Sequence, residues 1–102
     1  METDKKKGIN ELRDEVVKVV KEKYPEYRTP ENRFIDLVRQ VGGFGESLQF
    51  RQGNLRKCSQ HDTLQHQIAS IMVDLFMLSD MIDADIEKEV EGAIRFFKTG
   101  EK

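Results

Sequence analysis

From Ile68 to Leu78 the chain reads IASIMVDLFML, apolar on nearly every side of a helix, with Ser70 and Asp74 its only polar members. A helix of that kind is buried over most of its surface, so it needs neighbours on more than one side. The run is far too short to span a membrane and carries Asp74 inside it. The rest of the chain offers helices to pack against it. Apolar residues at 9, 12, 16, 19 and 20 give a first helix one core-facing stripe. It should stop at Tyr24, because Pro25 disfavours helical geometry in the residue before it. Thr29 as N-cap and Pro30 at the first helical position start a second helix. That helix carries Phe34, Leu37, Val38, Val41, Phe44 and Leu48 on one side. Residues 53–61, GNLRKCSQH, read as a connection, and the third helix runs from about Asp62 to Met81. Asp85 caps a fourth, with Ile86, Val90, Ala93, Ile94 and Phe97 as its expected buried face. No stretch alternates like a strand. The fold class is all-α, one domain over residues 1–102, with 1–7 as a disordered tail.

Composition narrows the function classes. Charged residues make up 35% and hydrophobic residues 37%, and the net charge is −2. A general binder of nucleic-acid polymers would show a basic face, and here Lys5, Lys6 and Lys7 are the only basic run, read as a solubilising tail. Cys58 is the single cysteine, so no intrachain disulfide can form. That usage, with no signal-peptide pattern and no membrane segment, points to the cytoplasm.

The polar residues of the third helix are ordered. Thr63, Gln67, Ser70 and Asp74 are spaced by four, three and four, so they form one narrow line. Asp36, Gln40, Gly43 and Ser47 form a matching line on the second helix. An antiparallel hairpin turning near Leu55 pairs 36 with 74, 40 with 70, 43 with 67 and 47 with 63. Two such lines between apolar helices make either a hydrogen-bonded polar seam or a ligand cleft, and composition does not choose between them. Asp36 and Asp74 face each other in this register. Their carboxylates repel unless one is protonated, a cation bridges them or both reach water. Gly42, Gly43 and Gly45 interrupt the second helix within RQVGGFGES, at a cost of roughly 2–3 kcal/mol in helix preference. Their missing side chains allow either a close backbone approach or room for a ligand.

At this point the chain resembles the MazG-like all-α nucleoside triphosphate pyrophosphohydrolases. FIDLVRQVGGFGESLQ is similar to that family's stretch of type L-V-E-E-V-G-E-L-A-E-A-L. QIASIMVDLFMLSDMIDADIEKEV looks like E-E-L-A-D-V-L-I-Y-L-L-R-L-A-D-R-L-G-I-D-L-E-E-A-V, without a gap. The hydrophobic positions, Val41–Gly42, Glu46, Asp80 and the Asp85 cap fall in place. The resemblance implies a four-helix domain with a central antiparallel hairpin, packed as a dimer or tetramer. Family members hold Mg²⁺ with E-x-x-E on the second helix and E-x-x-D on the third, and the ion binds the triphosphate and helps activate water. Here those positions fall on Gln40, Gly43, Gln67 and Ser70, and Arg39 stands where a further glutamate is common. Mg²⁺ prefers charged oxygen ligands in octahedral geometry, and all four carboxylates are absent. The resemblance therefore implies a homologue that has lost the chemistry, retaining nucleotide binding or a scaffold role and needing no cofactor. An alternative is an active Mg²⁺ enzyme with displaced ligands at Asp36 and Asp74. A third reading is a purely structural interaction module.

Other features carry blander explanations. Cys58, His61 and His66 lack a fourth zinc ligand, and histidines five apart share a helical face poorly. Met72, Met77 and Met81 read as core. Arg95 and Lys98 correspond to a region where related enzymes contact phosphates, but cations also suit a helix C-terminus. Glu46 lies away from the polar line and reads as solvated or intersubunit. The apolar surface around Met72, Leu75, Phe76 and Met77 exceeds what so small a monomer covers easily, and Phe96 is free to pack on another subunit. Both point to a homo-oligomer.

Overall fold

The structure is a computed structural model that describes residues 6–24 and 29–100. Pro25 and the first five tail residues lie outside the described residues. Four helices follow in order: α1 Ile9–Lys23, α2 Pro30–Arg51, α3 Leu64–Met81 and α4 Ile86–Thr99. No strand occurs among the described residues, and none of these helices is long and apolar enough to cross a membrane.

The helix ends follow local chemistry. Thr29 accepts a hydrogen bond from the Asn32 amide, with proline in the first turn of α2. Thr63 accepts from the His66 amide, so α3 starts two residues later than its apolar pattern suggests. Asp85 accepts from the Lys88 amide. Between α3 and α4 the chain turns through Asp83, a left-handed residue at φ 61°. Gly100 ends α4 at φ 77°, where a residue without Cβ is unstrained.

α2 and α3 form the antiparallel hairpin, and α1 packs on α3. The buried apolar core is small among the described residues: Val17, Phe76 and Met77. α1 lies on the side of α3 marked by Val73 and Asp80, through Val16, Val19, Val20 and an ion pair from Lys21 to Asp80. α4 joins the start of α1. Asn10 Nδ2 donates to Asp85 Oδ1 at 2.8 Å, Asn10 Oδ1 accepts from the Glu87 amide, and the Asn10 amide donates to Glu87 Oε1. Arg13 Nη1 adds a bond to the Ala84 carbonyl at 2.6 Å.

Two expected core faces are corrected by this packing. No residue of α4 is buried, and Phe97 is 82% exposed. On α2, Phe34, Val38, Val41 and Leu48 are exposed while Leu37 and Phe44 are half-buried. Periodicity reveals which side of a helix is apolar, but not whether the same chain covers it. Here the hairpin uses another face of α2, and α4 is held by its first turn.

Asn10 is the hinge pin of the α1–α4 contact. Asn10→Ala removes its two side-chain bonds and should weaken the docking of α4 by about 1–2 kcal/mol. Amide hydrogen exchange within α4 should then quicken by about fivefold or more, while that of the α2–α3 hairpin stays as in the parent.

Candidate functional site

The polar lines of α2 and α3 meet, and a residue three positions before the first of the α2 line lies at their centre. Arg33, in the second turn of α2, is buried with Asp74, which is 1% exposed. Arg33 Nη1 donates to Asp74 Oδ1 at 2.8 Å and lies 3.8 Å from Asp36 Oδ2. Gln40 Nε2 donates to the other Asp74 oxygen at 2.7 Å and to Asp36 Oδ2 at 3.4 Å. The cation between the two aspartates is thus a guanidinium. It belongs to the same line, since 33, 36, 40, 43 and 47 continue the three-four spacing one turn further back. That spacing was the available signal. An arginine near a helix start ordinarily reads as solvated, which hid it.

Burial pushes the Asp74 carboxyl above its ordinary pKa, Asp36 pushes the same way, and the Arg33 hydrogen bond opposes them. A raised carboxyl destabilises the fold progressively as pH rises from its ordinary pKa through its raised one. The pair is therefore a structural necessity for two buried groups more than a net source of stability.

The lower half of the cleft is filled from the connection. Gly43 does not bring two backbones together. A Cβ there would stand 2.7 Å from Gln60 Oε1 and 2.8 Å from Gln60 Cδ. The Gln60 side chain enters this notch, and its Oε1 accepts from Gln67 Nε2 at 3.4 Å. Gln67 Oε1, buried, has no hydrogen-bond partner among the described residues. Gly42 and Gly45 have nothing within 4 Å of where a Cβ would be. Ser47 Oγ lies 3.9 Å from Cys58 Sγ, so the loop meets Ser47 while Thr63 caps its own helix. Ser70 is half-buried, one turn from Asp74.

Glu46 anchors this loop. One oxygen accepts from the Ser59 amide at 2.8 Å, the other from Ser59 Oγ at 2.8 Å and Gln60 Nε2 at 3.1 Å. These bonds, the backbone one first, hold its carboxyl below the usual pKa. The expectation that Glu46 is solvated or intersubunit is replaced by this loop contact. Nothing in its helical position announced a loop partner.

The remaining sequence candidates do not converge on the cleft. Arg95 and Lys98 are exposed on α4, which packs on α1. Among the described residues no group of three or more His, Cys, Asp or Glu side chains is placed to share a metal ion. The donors at the cleft are two amides, a hydroxyl and two aspartates, Asp74 bonded to the Arg33 guanidinium at 2.8 Å and Asp36 lying 3.8 Å from it, a set already neutralised by that cation and ill-suited to Mg²⁺. Comparison with known proteins finds no match, whether to a family model, a curated protein or a solved structure.

Two outcomes test the site's physics. Arg33→Met or Asp74→Leu alone strands a buried charge and should cost about 3–5 kcal/mol. The double variant should recover most of that loss, giving a large coupling energy in denaturant titrations. Glu46→Gln should melt below the parent at neutral pH. Because the folded pKa of Glu46 is lowered, its contribution is present above the unfolded value and lost as pH falls through the folded one. The gap in melting temperature should close as pH falls below the ordinary glutamate pKa of 4.5.

Proposed function

We propose that the chain is a catalytically silent homologue of the MazG-like nucleotide pyrophosphohydrolases, acting as a homo-oligomeric helical module of the cytoplasm. The family assignment rests on the sequence motifs set out above. The observation that carries the loss of chemistry is the occupant of the cleft. Asp74, the one fully buried carboxylate among the described residues, is bonded on both oxygens, by Arg33 and by Gln40. A metal entering there would displace a fixed positive charge and meet neutral amides at Gln40 and Gln67. Gln60 takes up the space at Gly43, which favours a scaffold role over retained nucleotide binding.

Oligomerisation is supported by exposed apolar side chains: Phe34, Val38 and Val41 on α2 and Ile68, Met72 and Leu75 on α3 are each more than 40% exposed.

A pyrophosphate-release assay over the common nucleoside triphosphates, with Mg²⁺ or Mn²⁺, tests the loss of activity. The parent and Asp74→Ala should both match the protein-free blank. Turnover in the parent that disappears in Asp74→Ala would establish displaced ligands and overturn the proposal. Nucleotide at a hundred times its dissociation constant stabilises a binder by about 2.7 kcal/mol. Melting scans should lack that shift.

A further inference from the structure

Ser59 is exposed where the connection returns to the hairpin, and residues 57–61 around it form neither helix nor turn. Its hydroxyl joins two side chains. It donates to Glu46 Oε1 at 2.8 Å and accepts from Gln60 Nε2 at 3.3 Å, while the Ser59 amide donates to Glu46 Oε2 at 2.8 Å. Ser59 therefore helps to hold Gln60, whose side chain fills the space at Gly43 and meets the buried Gln67. A group added to this one oxygen acts on the closure of the cleft.

Two exposed cations, Arg56 and Lys57, precede it. Of the serines and threonines in the chain, Ser59 alone has basic residues at both the second and the third position before it. Kinases select substrates by such charge patterns. A basic pair at that distance suits a kinase whose substrate groove is lined with carboxylates, and such a groove takes its peptide extended. Residues 57–61 can supply that form without unwinding a helix. By contrast, Ser47, Ser70 and Ser79 lie inside α2 and α3, and Thr29 and Thr63 are committed as helix caps.

We propose that Ser59 is a phosphorylation site for a basophilic serine kinase, and that its phosphate releases Gln60 from the Gly43 notch and opens the lower end of the cleft. In the transfer Ser59 Oγ bonds to the γ-phosphorus of ATP as the bond from that phosphorus to the β–γ bridging oxygen breaks. ADP leaves, and the hydroxyl proton passes to the kinase's own base. The product has no proton on Oγ to donate, so the bond to Glu46 is lost. It also sets about −1.5 to −2 of charge at pH 7 beside a carboxylate, which drives the two apart. Arg56 and Lys57 offer the phosphate cationic partners within its own loop. The inference stands on the loop geometry and needs neither the family assignment nor the oligomer.

The test treats the full chain with ATP and the cyclic-AMP-dependent protein kinase, a basophilic enzyme, and maps the product by mass spectrometry. Ser59 should be labelled in the parent, and Ser59→Ala should stay unlabelled. In the phosphorylated chain the nuclear Overhauser contact between the Gln60 side chain and the Gly43 α-protons should vanish. Exchange of the Ser59 amide should quicken about tenfold or more, with the helices retained by circular dichroism. Glu46→Gln removes the opposing charge, so phosphorylation should change that variant's exchange far less. No label on Ser59, or a label only elsewhere, overturns the assignment of the site. A labelled Ser59 with the Gln60–Gly43 contact and the amide exchange unchanged overturns the release. An equal quickening in Glu46→Gln overturns the role given to charge.

Discussion

The hairpin depends on one buried ion pair. Arg33 and Asp74 are both removed from water, and each is tolerable only because the other is within 2.8 Å. Such a pair adds little net stability, since desolvation offsets most of the attraction. It does fix the register. Sliding α2 by one turn against α3 would keep apolar side chains in contact, as both helices are broadly apolar there. It would also separate the two charges inside the protein, at a cost of several kcal/mol each. Gln40 reinforces the lock by bonding the second carboxylate oxygen and reaching Asp36. Shape alone would leave the hairpin free to shift, and charge removes that freedom.

With the register set, the loop has a defined place to return to. Gly43 leaves a notch on α2, and the chain coming back from the hairpin turn inserts Gln60 there. Glu46, three residues on, holds Ser59 and Gln60 by three hydrogen bonds. The glycine and the glutamate act as a pair, one making room and the other supplying the grip. The cleft is thus closed by the protein's own polar groups at both ends, by a guanidinium above and a loop amide below. A polar line between two helices is neither a ligand site nor a seam until it is known what fills it.

Much of the architecture could be read from residues. The caps at Thr29 and Asp85, the proline at the start of α2 and the apolar repeats set the helices to within a residue or two, whereas Thr63, read as part of the polar line, caps α3. The pairing of Asp36 with Asp74 came from spacing alone, and both lie in one hydrogen-bonded cluster. What could not be read was anything that arrives from outside a helical repeat. Gln60 comes from a loop without periodicity, and Arg33 looked like an ordinary residue near a helix start. The apolar sides of α2 and α4 were visible as stripes. Their openness was not, because a stripe carries no information on how many chains will share it.

The attachment of α4 has its own consequence. That helix is fastened by hydrogen bonds at Ala84, Asp85 and Glu87, all within its first turn or just before it, while the apolar side bearing Ile94 and Phe97 faces outward. Polar links of this kind exchange readily with water, unlike a packed interface. The C-terminal helix is therefore the element most weakly coupled to the cooperative unfolding of the hairpin, free to loosen and re-dock while the rest of the molecule stays intact.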